Sequence, residues 1–226
     1  MLFRIPSVLT PDELAHCRAR LTEAVWCDGR VTAGPQAAKV KDNLQLAEDS
    51  AEARELGAIV MAALERNALF VAAALPRSVY PPLFNRYELG MGFGAHVDNA
   101  IRQVPGTAHR IRTDISATLF LGAPEEYDGG DLVVEDTFGE QQIKLPAGDL
   151  VLYPATSLHR VAPVTRGARM ASFFWIQSLV KEDSERTLLF ELDRAIAELT
   201  QTVPGSQTLV RLTAAYHNLV RKWTAI

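Results

Sequence analysis

Apolar residues recur at helical spacing in the first part of the chain. Thr10, Pro11 and Glu13 form a capping box directly before the first of these runs. The apolar face that follows consists of Leu14, Cys17, Leu21 and Val25. This pattern predicts a helix that begins at Pro11 and packs one face against a core.

A second and longer helical pattern starts near Asp49 and Glu52. Its predicted buried face consists of Leu56, Ile59, Val60, Ala63 and Leu64. Pro76 lacks the backbone N–H that a helix interior needs, so we expect the helix to end there. Residues 1–77 are therefore expected to form a helical region that packs on the core.

The middle part shows the shorter period of strands. Apolar or alternating runs occupy 83–89, 114–121, 131–136, 141–145, 148–154 and 169–178. Clusters of Gly, Pro and Asp separate these runs, and such regular spacing is typical of a β-sandwich or barrel. We therefore expect residues 78–178 to form a jelly roll, in which two facing sheets make a rigid cup with an open mouth.

The last part, residues 179–226, returns to helical spacing. One predicted helix carries the apolar positions Leu188, Leu189, Leu192 and Ile196. Ser206 can cap a final helix with the apolar positions Leu209, Leu212, Tyr216, Leu219 and Trp223. The expected fold class is α+β: a double-stranded β-helix (jelly-roll, cupin-like) core with flanking N-terminal helices and a helical C-terminal extension.

The composition is that of an ordinary globular protein, with 226 residues, 48% of them hydrophobic and 22% charged. The formal net charge of -4 argues against a nucleic-acid partner, which usually requires a strongly basic surface. Cys17 and Cys27 are too few for a disulfide framework and match no zinc spacing, which indicates reduced thiols.

Neither a secretion signal nor a membrane span is expected. The first ten residues, MLFRIPSVLT, have no long apolar core behind a basic start. The most apolar long stretch, 59–75, is interrupted by Glu65, Arg66 and Asn67, which a membrane span would not carry. The expected location is cytoplasmic.

The candidate chemistry begins in the run GAHVDNA, residues 94–100. If this run is extended, His96 and Asp98 stand at i and i+2, and their side chains point to the same face of the strand. An imidazole and a carboxylate so placed can bind one metal ion. The same pair also suits a plain surface loop, so a third ligand has to come from elsewhere in the chain.

His159 is the strongest candidate for that ligand, because it ends a pronounced strand pattern. His16 and His217 lie in helical patterns, and His109 lies in a polar loop. Two histidines and one aspartate would leave open positions on the metal, as in the facial triad of non-haem Fe(II) oxygenases. Those positions would take a co-substrate and O₂.

Fe(II) activates O₂ poorly without an electron source, so such a site predicts a bound organic acid with a cationic anchor. Arg169 opens the strand that follows His159, and its planar fork suits a carboxylate. In a regular hairpin with a two-residue turn at Arg166 and Gly167, His159 and Arg169 would face opposite sides of one sheet. We therefore expect a bulge or a longer loop near Pro163.

Two further segments are candidate walls of the pocket. The segment 99–112 follows the His-x-Asp pair and is basic, with Arg102, His109, Arg110 and Arg112. It is either a lid that selects an anionic or carbonyl-rich substrate, or a solvated loop. Residues 31–46, the second segment, are neither clearly helical nor a clean strand.

Phe173 and Trp175 alternate with Arg169 along the last strand. They either line the cup or belong to the core.

Several runs together resemble the Fe(II)/2-oxoglutarate dioxygenases: YELGMGFGAHVD, DISATLFL, YDGGDL, AGDLVLYPATSLHRVAPVTRGAR and ASFFWIQS. More closely they resemble the bacterial PKHD-type hydroxylases, relatives of the procollagen prolyl and lysyl hydroxylases. The resemblance covers nearly the whole chain. It implies that His96, Asp98 and His159 are catalytic iron ligands and that Arg169 binds the far carboxylate of 2-oxoglutarate. Tyr87 either hydrogen-bonds 2-oxoglutarate or is a core aromatic.

The resemblance also implies the reaction and its participants. Oxidative decarboxylation of 2-oxoglutarate to succinate and CO₂ would be coupled to hydroxylation of a C–H bond, with Fe(II) and O₂, and with L-ascorbate to re-reduce the iron. The substrate would be a peptidyl Pro or Lys, or a siderophore or other small molecule linked to iron uptake.

Two other kinds of protein remain open at this point. One is a non-enzymatic cupin-like sensor of iron or 2-oxoglutarate, and the other is a structural jelly roll without a metal. The apolar faces of the C-terminal helices favour a homo-oligomer.

Overall fold

The structure is a computed structural model that describes residues 1–225. Within that range the chain forms five α-helices and seventeen strands. The helices are α1 (Pro11–Glu23), α2 (Ala51–Glu65), α3 (Ala68–Ala74), α4 (Asp183–Thr202) and α5 (Gln207–Trp223). The strands are β1 (Phe3–Ile5), β2 (Cys27–Asp28), β3 (Lys41–Asp42), β4 (Leu44–Gln45), β5 (Pro76–Val79), β6 (Leu83–Tyr87), β7 (Gly92–His96), β8 (Ile101–Gln103), β9 (Arg110–Arg112), β10 (Ile115–Phe120), β11 (Tyr127–Gly129), β12 (Leu132–Asp136), β13 (Gly139–Ile143), β14 (Leu150–Pro154), β15 (His159–Val161), β16 (Val164–Gly167) and β17 (Arg169–Ser178).

Two antiparallel sheets form the core, as expected for a jelly roll. The larger sheet has eight strands in the order β1-β14-β10-β17-β6-β4-β2, with β5 paired to β17. The smaller sheet has five strands in the order β13-β12-β15-β7-β3. Two separate pairs, β8-β9 and β11-β16, flank these sheets.

One face of the larger sheet packs against the main hydrophobic core, and the other face lines a cavity. Along each strand, residues that face the core alternate with residues that face the cavity. On β10, Ala117 and Leu119 point into the main hydrophobic core, which α1, α2 and α3 complete. Ser116 and Thr118 point the other way and line a cavity between the two sheets. The period of two along each strand therefore separates the structural face from the cavity face.

The prediction for α1 is confirmed at its start. Thr10 Oγ1 accepts from the backbone N–H of Glu13, and the Glu13 carboxylate accepts from the N–H of Thr10. Cys17 and Leu21 are buried. Val25 was wrong as part of the buried face, because the helix ends at Glu23 and the Val25 side chain is exposed.

The second predicted helix is two helices. Ser50 caps the first, and Asn67 caps the second by accepting from the N–H of Phe70. In a continuous helix the N–H of Phe70 would donate to a backbone carbonyl oxygen of the preceding turn. Here it donates to the Asn67 side chain instead, and the chain turns at this point. Pro76 begins β5 and does not end a long helix. No single helix in residues 1–225 is long and apolar enough to cross a membrane, and α2 and α3 meet that test only together, bent by 84°.

Residues 1–77 are less helical than expected, because they also supply strands to both sheets. β1 pairs with β14 at one edge of the larger sheet. Strands β2 and β4 extend its other edge, and β3 pairs with β7 of the smaller sheet. The N-terminal part therefore completes the two sheets that enclose the cavity.

The two C-terminal helices pack against each other, and α4 also packs against α3. The Ser206 hydroxyl accepts from the N–H of Thr208 and caps α5, as predicted. In α4, Leu189 is buried, whereas Leu188 was wrong as a core position because its side chain is exposed. Buried Arg186 donates to the carbonyl oxygens of Val180 and Lys181, which fixes the start of α4 against the end of β17.

Candidate active site

Most residues that line the cavity between the sheets come from three parts of the fold, and residues 97–99 and Arg102 complete the lining. The larger sheet supplies Tyr87, Asn85, Ser116, Thr118, Tyr153, Arg169, Phe173 and Trp175. The smaller sheet supplies Phe93, His96, Leu132, His159 and Val161. Short turns and strands of the segment 31–46 close one side with Thr32, Ala33, Gly34, Ala37, Lys41 and Asn43. This segment is therefore the pocket wall that the sequence suggested, and Phe173 and Trp175 line the cup.

His96, Asp98 and His159 meet at one point of this cavity. His96 ends β7 and is the register partner of His159 at the start of β15. One potential ligand atom from each of the three residues lies within 4.8 Å of the others. His159 Nε2 is 3.7 Å from Asp98 Oδ2. The structure thus brings the three predicted metal ligands together.

Backbone carbonyls fix the orientation of both imidazoles. Nδ1 of His96 is 2.8 Å from the carbonyl oxygen of Gly94, and Nδ1 of His159 is 3.0 Å from that of Ser157. A carbonyl oxygen can only accept, so each Nδ1 carries the proton and each Nε2 of a neutral ring keeps its lone pair. Burial, and then the charge of neighbouring His159, lower the pKa of His96 to about 4, which keeps this ring neutral at physiological pH.

A glycine allows the wall segment to approach β7 closely. The backbone N–H of Gly94 donates to the carbonyl oxygen of Val40 at 2.8 Å. A Cβ at position 94 would lie 2.7 Å from Cβ of Val40, closer than real side chains pack. The glycine in GAHVD therefore permits the contact that holds the wall against the strand that carries His96.

The other histidines lie away from this cavity, as predicted. His16 Nε2 is 2.8 Å from a carboxylate oxygen of Glu55 on the surface of α1 and α2. His109 is exposed between β8 and β9, and His217 is exposed on α5. None of the three is part of the cavity lining in the described residues.

His159 and Arg169 belong to different sheets, so the hairpin considered from the sequence does not form. The chain leaves the smaller sheet after Val161, and β16 pairs with β11. It then enters the larger sheet at Arg169, where β17 pairs with β10 and β6. The chain does break near Pro163, between β15 and β16, but the break is a change of sheet and not the bulge or longer hairpin loop that was expected. Both side chains reach the cavity because the two sheets face each other across it.

Arg169 is a buried cation whose donors are not all used. Its side chain is 1% exposed, and its guanidinium lies 5.5 Å from the ring centroid of Tyr87 and 5.3 Å from that of Phe120. Neither Nε nor Nη1 has a hydrogen-bond partner in residues 1–225. No carboxylate in this range forms an ion pair with Arg169. An unpaired buried charge is strongly destabilising, so the site fits an anionic ligand.

Tyr87 lies beside this cation. It is the register partner of Arg169 on the neighbouring strand β6, and it lines the cavity. Burial raises the pKa of Tyr87 to about 12, so the phenol stays protonated and can donate a hydrogen bond. This position is compatible with a contact to a ligand carboxylate, and the ring also packs with Val161 and Val164 in a buried cluster.

The basic segment 99–112 is a β-hairpin in place of the loop expected from its sequence. Strands β8 and β9 pair, and Thr113 Oγ1 donates to the carbonyl oxygen of Asn99 at the base. Arg112 pairs with Asp114. Arg110 is exposed. Of the segment's three arginines, Arg102 alone is among the described residues that line the cavity.

Sequence reasoning missed two residues of the site. Ser116 Oγ donates to Asp98 Oδ2 at 2.6 Å, and its position among alternating residues of DISATLFL is the signal that it faces inward. Lys41 is buried at the cavity wall, where Nζ donates to Thr32 Oγ1 and Gln45 Oε1. Burial, and then the charge of Arg102, lower the pKa of Lys41 to about 8. Nothing in the irregular pattern of residues 31–46 distinguishes this lysine from an exposed one.

The geometry agrees with the known proteins that this chain resembles. Residues 82–177 match the family model described as the 2OG-Fe(II) oxygenase superfamily. A prolyl-4-hydroxylase structure from Pseudomonas putida is 20% identical, with a TM-score of 0.53, and the match covers 78% of this chain and 92% of that one. A Trichoplax adhaerens prolyl hydroxylase structure is 15% identical, with a TM-score of 0.56 and coverage of 83% and 86%. The fold is that of the 2-oxoglutarate–Fe(II) oxygenases.

The narrower family follows from the relatives with similar sequences. Residues 183–225 match the model of the PKHD-type hydroxylase C-terminal domain. A PKHD-type hydroxylase of Bordetella pertussis is 59% identical over 226 residues, which is 100% of both chains. One of Gluconobacter oxydans is 60% identical over 227 residues, again 100% of both. The chain belongs to the PKHD-type hydroxylase family and is an oxygenase that uses Fe(II), 2-oxoglutarate and O₂; ascorbate is typical of this family.

Proposed function

We propose that His96, Asp98 and His159 hold the Fe(II) of this hydroxylase and that Arg169 and Tyr87 bind its 2-oxoglutarate. One observation carries the proposal. A buried arginine without a carboxylate partner lies in the same cavity as two histidines and an aspartate whose ligand atoms converge within 4.8 Å. A divalent cation would bind the converging ligand atoms, and a dicarboxylate would supply the anion that the buried arginine lacks.

The donor set suits iron in an oxygenase. The neutral imidazoles offer Nε2, and Asp98 offers a carboxylate oxygen. Three protein ligands of this type leave positions open for a co-substrate and O₂. When bound, Fe(II) supplies the O₂ activation that couples decarboxylation of 2-oxoglutarate to succinate and CO₂ with hydroxylation of a C–H bond.

The protein's own contribution is binding, orientation and exclusion of water. The guanidinium of Arg169 donates in a fixed plane, which matches a carboxylate, and the Tyr87 hydroxyl adds a neutral donor. Aromatic side chains form much of the remaining wall: Phe93, Tyr153, Phe173 and Trp175. Such a lining keeps bulk water from the reacting atoms and strengthens the electrostatic contacts.

The candidates for the hydroxylated substrate are a peptidyl Pro or Lys and a small molecule such as a siderophore. The structure of the Trichoplax adhaerens prolyl hydroxylase contains a peptide fragment of the hypoxia inducible factor, which supports a peptide as one candidate. The link to iron uptake, the cytoplasmic location, the homo-oligomer and the domain boundaries at residues 78 and 179 stay predictions from the sequence.

Succinate formation tests the proposal. Purified protein with Fe(II), ascorbate, O₂ and 2-oxoglutarate should form succinate slowly even without the substrate, and NMR would detect it. His159→Ala and Asp98→Ala should abolish this turnover, whereas the exposed control His109→Ala should retain it. Turnover that survives His159→Ala would refute the ligand assignment. Metal and 2-oxoglutarate binding without succinate would indicate a sensor.

A further inference from the structure

The cavity carries more positive charge than the proposed co-substrate site uses. Three cations, Lys41, Arg102 and Arg169, and one carboxylate, Asp98, line it in the described part of the chain. Arg169 is assigned to 2-oxoglutarate, and Lys41 Nζ already donates to Thr32 and Gln45. Arg102 has no role in the site described so far.

The guanidinium of Arg102 is held by two aromatic rings. It lies 4.0 Å from the ring centroid of Trp175 and 4.9 Å from that of Tyr80. Its Nε is buried and has no hydrogen-bond partner within residues 1–225, and none of the ion pairs there includes Arg102. The Tyr80 hydroxyl donates to Glu48 at 3.1 Å and also lies within hydrogen-bonding reach of the Arg102 guanidinium. The rings therefore cover the cation, and its N–H edge keeps an unused donor.

The backbone that carries Arg102 is well anchored. Arg102 on β8 is the register partner of Ile111 on β9. Ile111 is 0% exposed and packs in one cluster with Tyr80, Leu83 and Trp175. The hairpin is thus fixed to the larger sheet by the same aromatic residues that hold the guanidinium, so the donor is preorganised.

Arg102 and Arg169 lie at different ends of the cavity. Arg102 stacks on Trp175, which is six residues from Arg169 along β17, or ~20 Å at the rise of an extended strand. Trp175 is the register partner of Ser116, whose hydroxyl holds Asp98. Arg102 is therefore at the level of the proposed metal ligands and too far from Arg169 for both to bind one carboxylate.

We propose that Arg102 binds a carboxylate of the molecule that is hydroxylated, so the substrate of this enzyme is an organic acid with an apolar body. This inference rests on the proposed function. Arg102 lines the cavity without a carboxylate partner, and a guanidinium pairs well with a planar group such as a carboxylate. Val97, 49% exposed, lines the cavity and suits the apolar body.

Binding of matched acids and amides tests this assignment. The protein is loaded with Mn(II) and saturating 2-oxoglutarate, and formation of that complex is verified first by the loss of the free Mn(II) EPR signal. Phenylacetate and hexanoate, and the corresponding amides, are then titrated by calorimetry. The variants are Arg102→Gln, Arg102→Lys, which keeps the charge without the fork, and the exposed control Arg110→Gln on the same hairpin.

The acids should bind the wild type and Arg110→Gln, and the amides should not. Arg102→Gln should weaken acid binding about tenfold or more, the effect expected for a charge-assisted hydrogen bond, and Arg102→Lys should weaken it less. Affinity for 2-oxoglutarate should not change. Equal binding of acids and amides, no acid binding, or a loss of 2-oxoglutarate affinity in Arg102→Gln would each overturn the inference. Failure of the wild type to form the first complex would instead refute the proposed function on which it rests.

Discussion

Ser116 of the larger sheet donates a 2.6 Å hydrogen bond to Oδ2 of Asp98, which follows β7 of the smaller sheet. The bond crosses the cavity and fixes the carboxylate beside His159. Groups that orient a metal ligand in this way commonly affect metal affinity almost as much as the ligands themselves. Ser116 is therefore a positioning residue for the proposed metal.

Ser116→Ala should weaken Mn(II) binding about tenfold, in the range found when such supporting contacts are removed. Calorimetric titration of the metal into the apoprotein measures the change. Ser172→Ala is the matched control, because Ser172 is also buried in the larger sheet but lies outside the cavity lining of the described residues. Equal metal affinity in wild type and Ser116→Ala would contradict the positioning role.

Arg169→Gln should raise the Kd of 2-oxoglutarate about tenfold or more, because it removes a charge-assisted contact in a buried site. Metal affinity without 2-oxoglutarate should stay the same. Titration of 2-oxoglutarate into the Mn(II)-loaded protein checks both statements. Arg166→Gln, which removes an exposed arginine paired with Asp128, should behave as the wild type. A 2-oxoglutarate affinity that survives Arg169→Gln would place the anchor elsewhere.

The proposed metal ligands could be predicted from the sequence, because the pattern of neighbouring residues along the chain indicates them. His96 ends β7 and Asp98 follows two positions later, whereas His159 was wrong as the end of the apolar strand, because β14 ends at Pro154 and His159 begins β15. The capping box at Thr10 is equally local and is confirmed. Each of these features is specified by a few neighbouring residues.

Features that depend on distant pairing could not be predicted in the same way. The position of Arg169 on the opposite sheet follows from β16 pairing with β11, which sequence spacing does not reveal. The break of the predicted long helix at Asn67 depends on a single side-chain cap within an otherwise continuous apolar pattern. The burial of Lys41 results from packing of an irregular segment against β7, including the contact between Val40 and Gly94.

Lys41 should make the stability of the apoprotein depend on alkaline pH. Its folded pKa is about 8, below the value of about 10.4 in an unfolded chain. Between these values the unfolded state binds more protons, so the contribution of Lys41 to the free energy of unfolding should rise with pH from 8 to 10. Urea unfolding at pH 7 and pH 10 should show a larger increase for the wild type than for Lys41→Met.

Lys39→Met removes an exposed lysine two positions away and serves as the control for general charge effects. Its unfolding free energy should change with pH as that of the wild type does. Parallel pH profiles for wild type and Lys41→Met would show that burial does not penalise the charged form of Lys41.

Gly94→Val should destabilise the protein by roughly 1–3 kcal/mol, the usual effect of forcing atoms into a packed site. The new Cβ would meet Cβ of Val40 at 2.7 Å and push the wall segment from β7. Thermal unfolding measures the loss. Gly34→Ala is the control, since a Cβ there would lie at an ordinary contact distance of 3.5 Å from Asn99 Oδ1. An unchanged melting temperature for Gly94→Val would contradict the close-approach argument.

We propose that His96, Asp98, His159 and Arg169 form one site for Fe(II) and 2-oxoglutarate. The most direct measurement is the visible spectrum of the protein after anaerobic addition of both. The wild type should show a weak metal-to-ligand charge-transfer band. This band should be lost in His159→Ala and should appear only at higher 2-oxoglutarate concentration in Arg169→Ala. No band in the wild type at saturating Fe(II) and 2-oxoglutarate, or an unchanged band in His159→Ala, would contradict it.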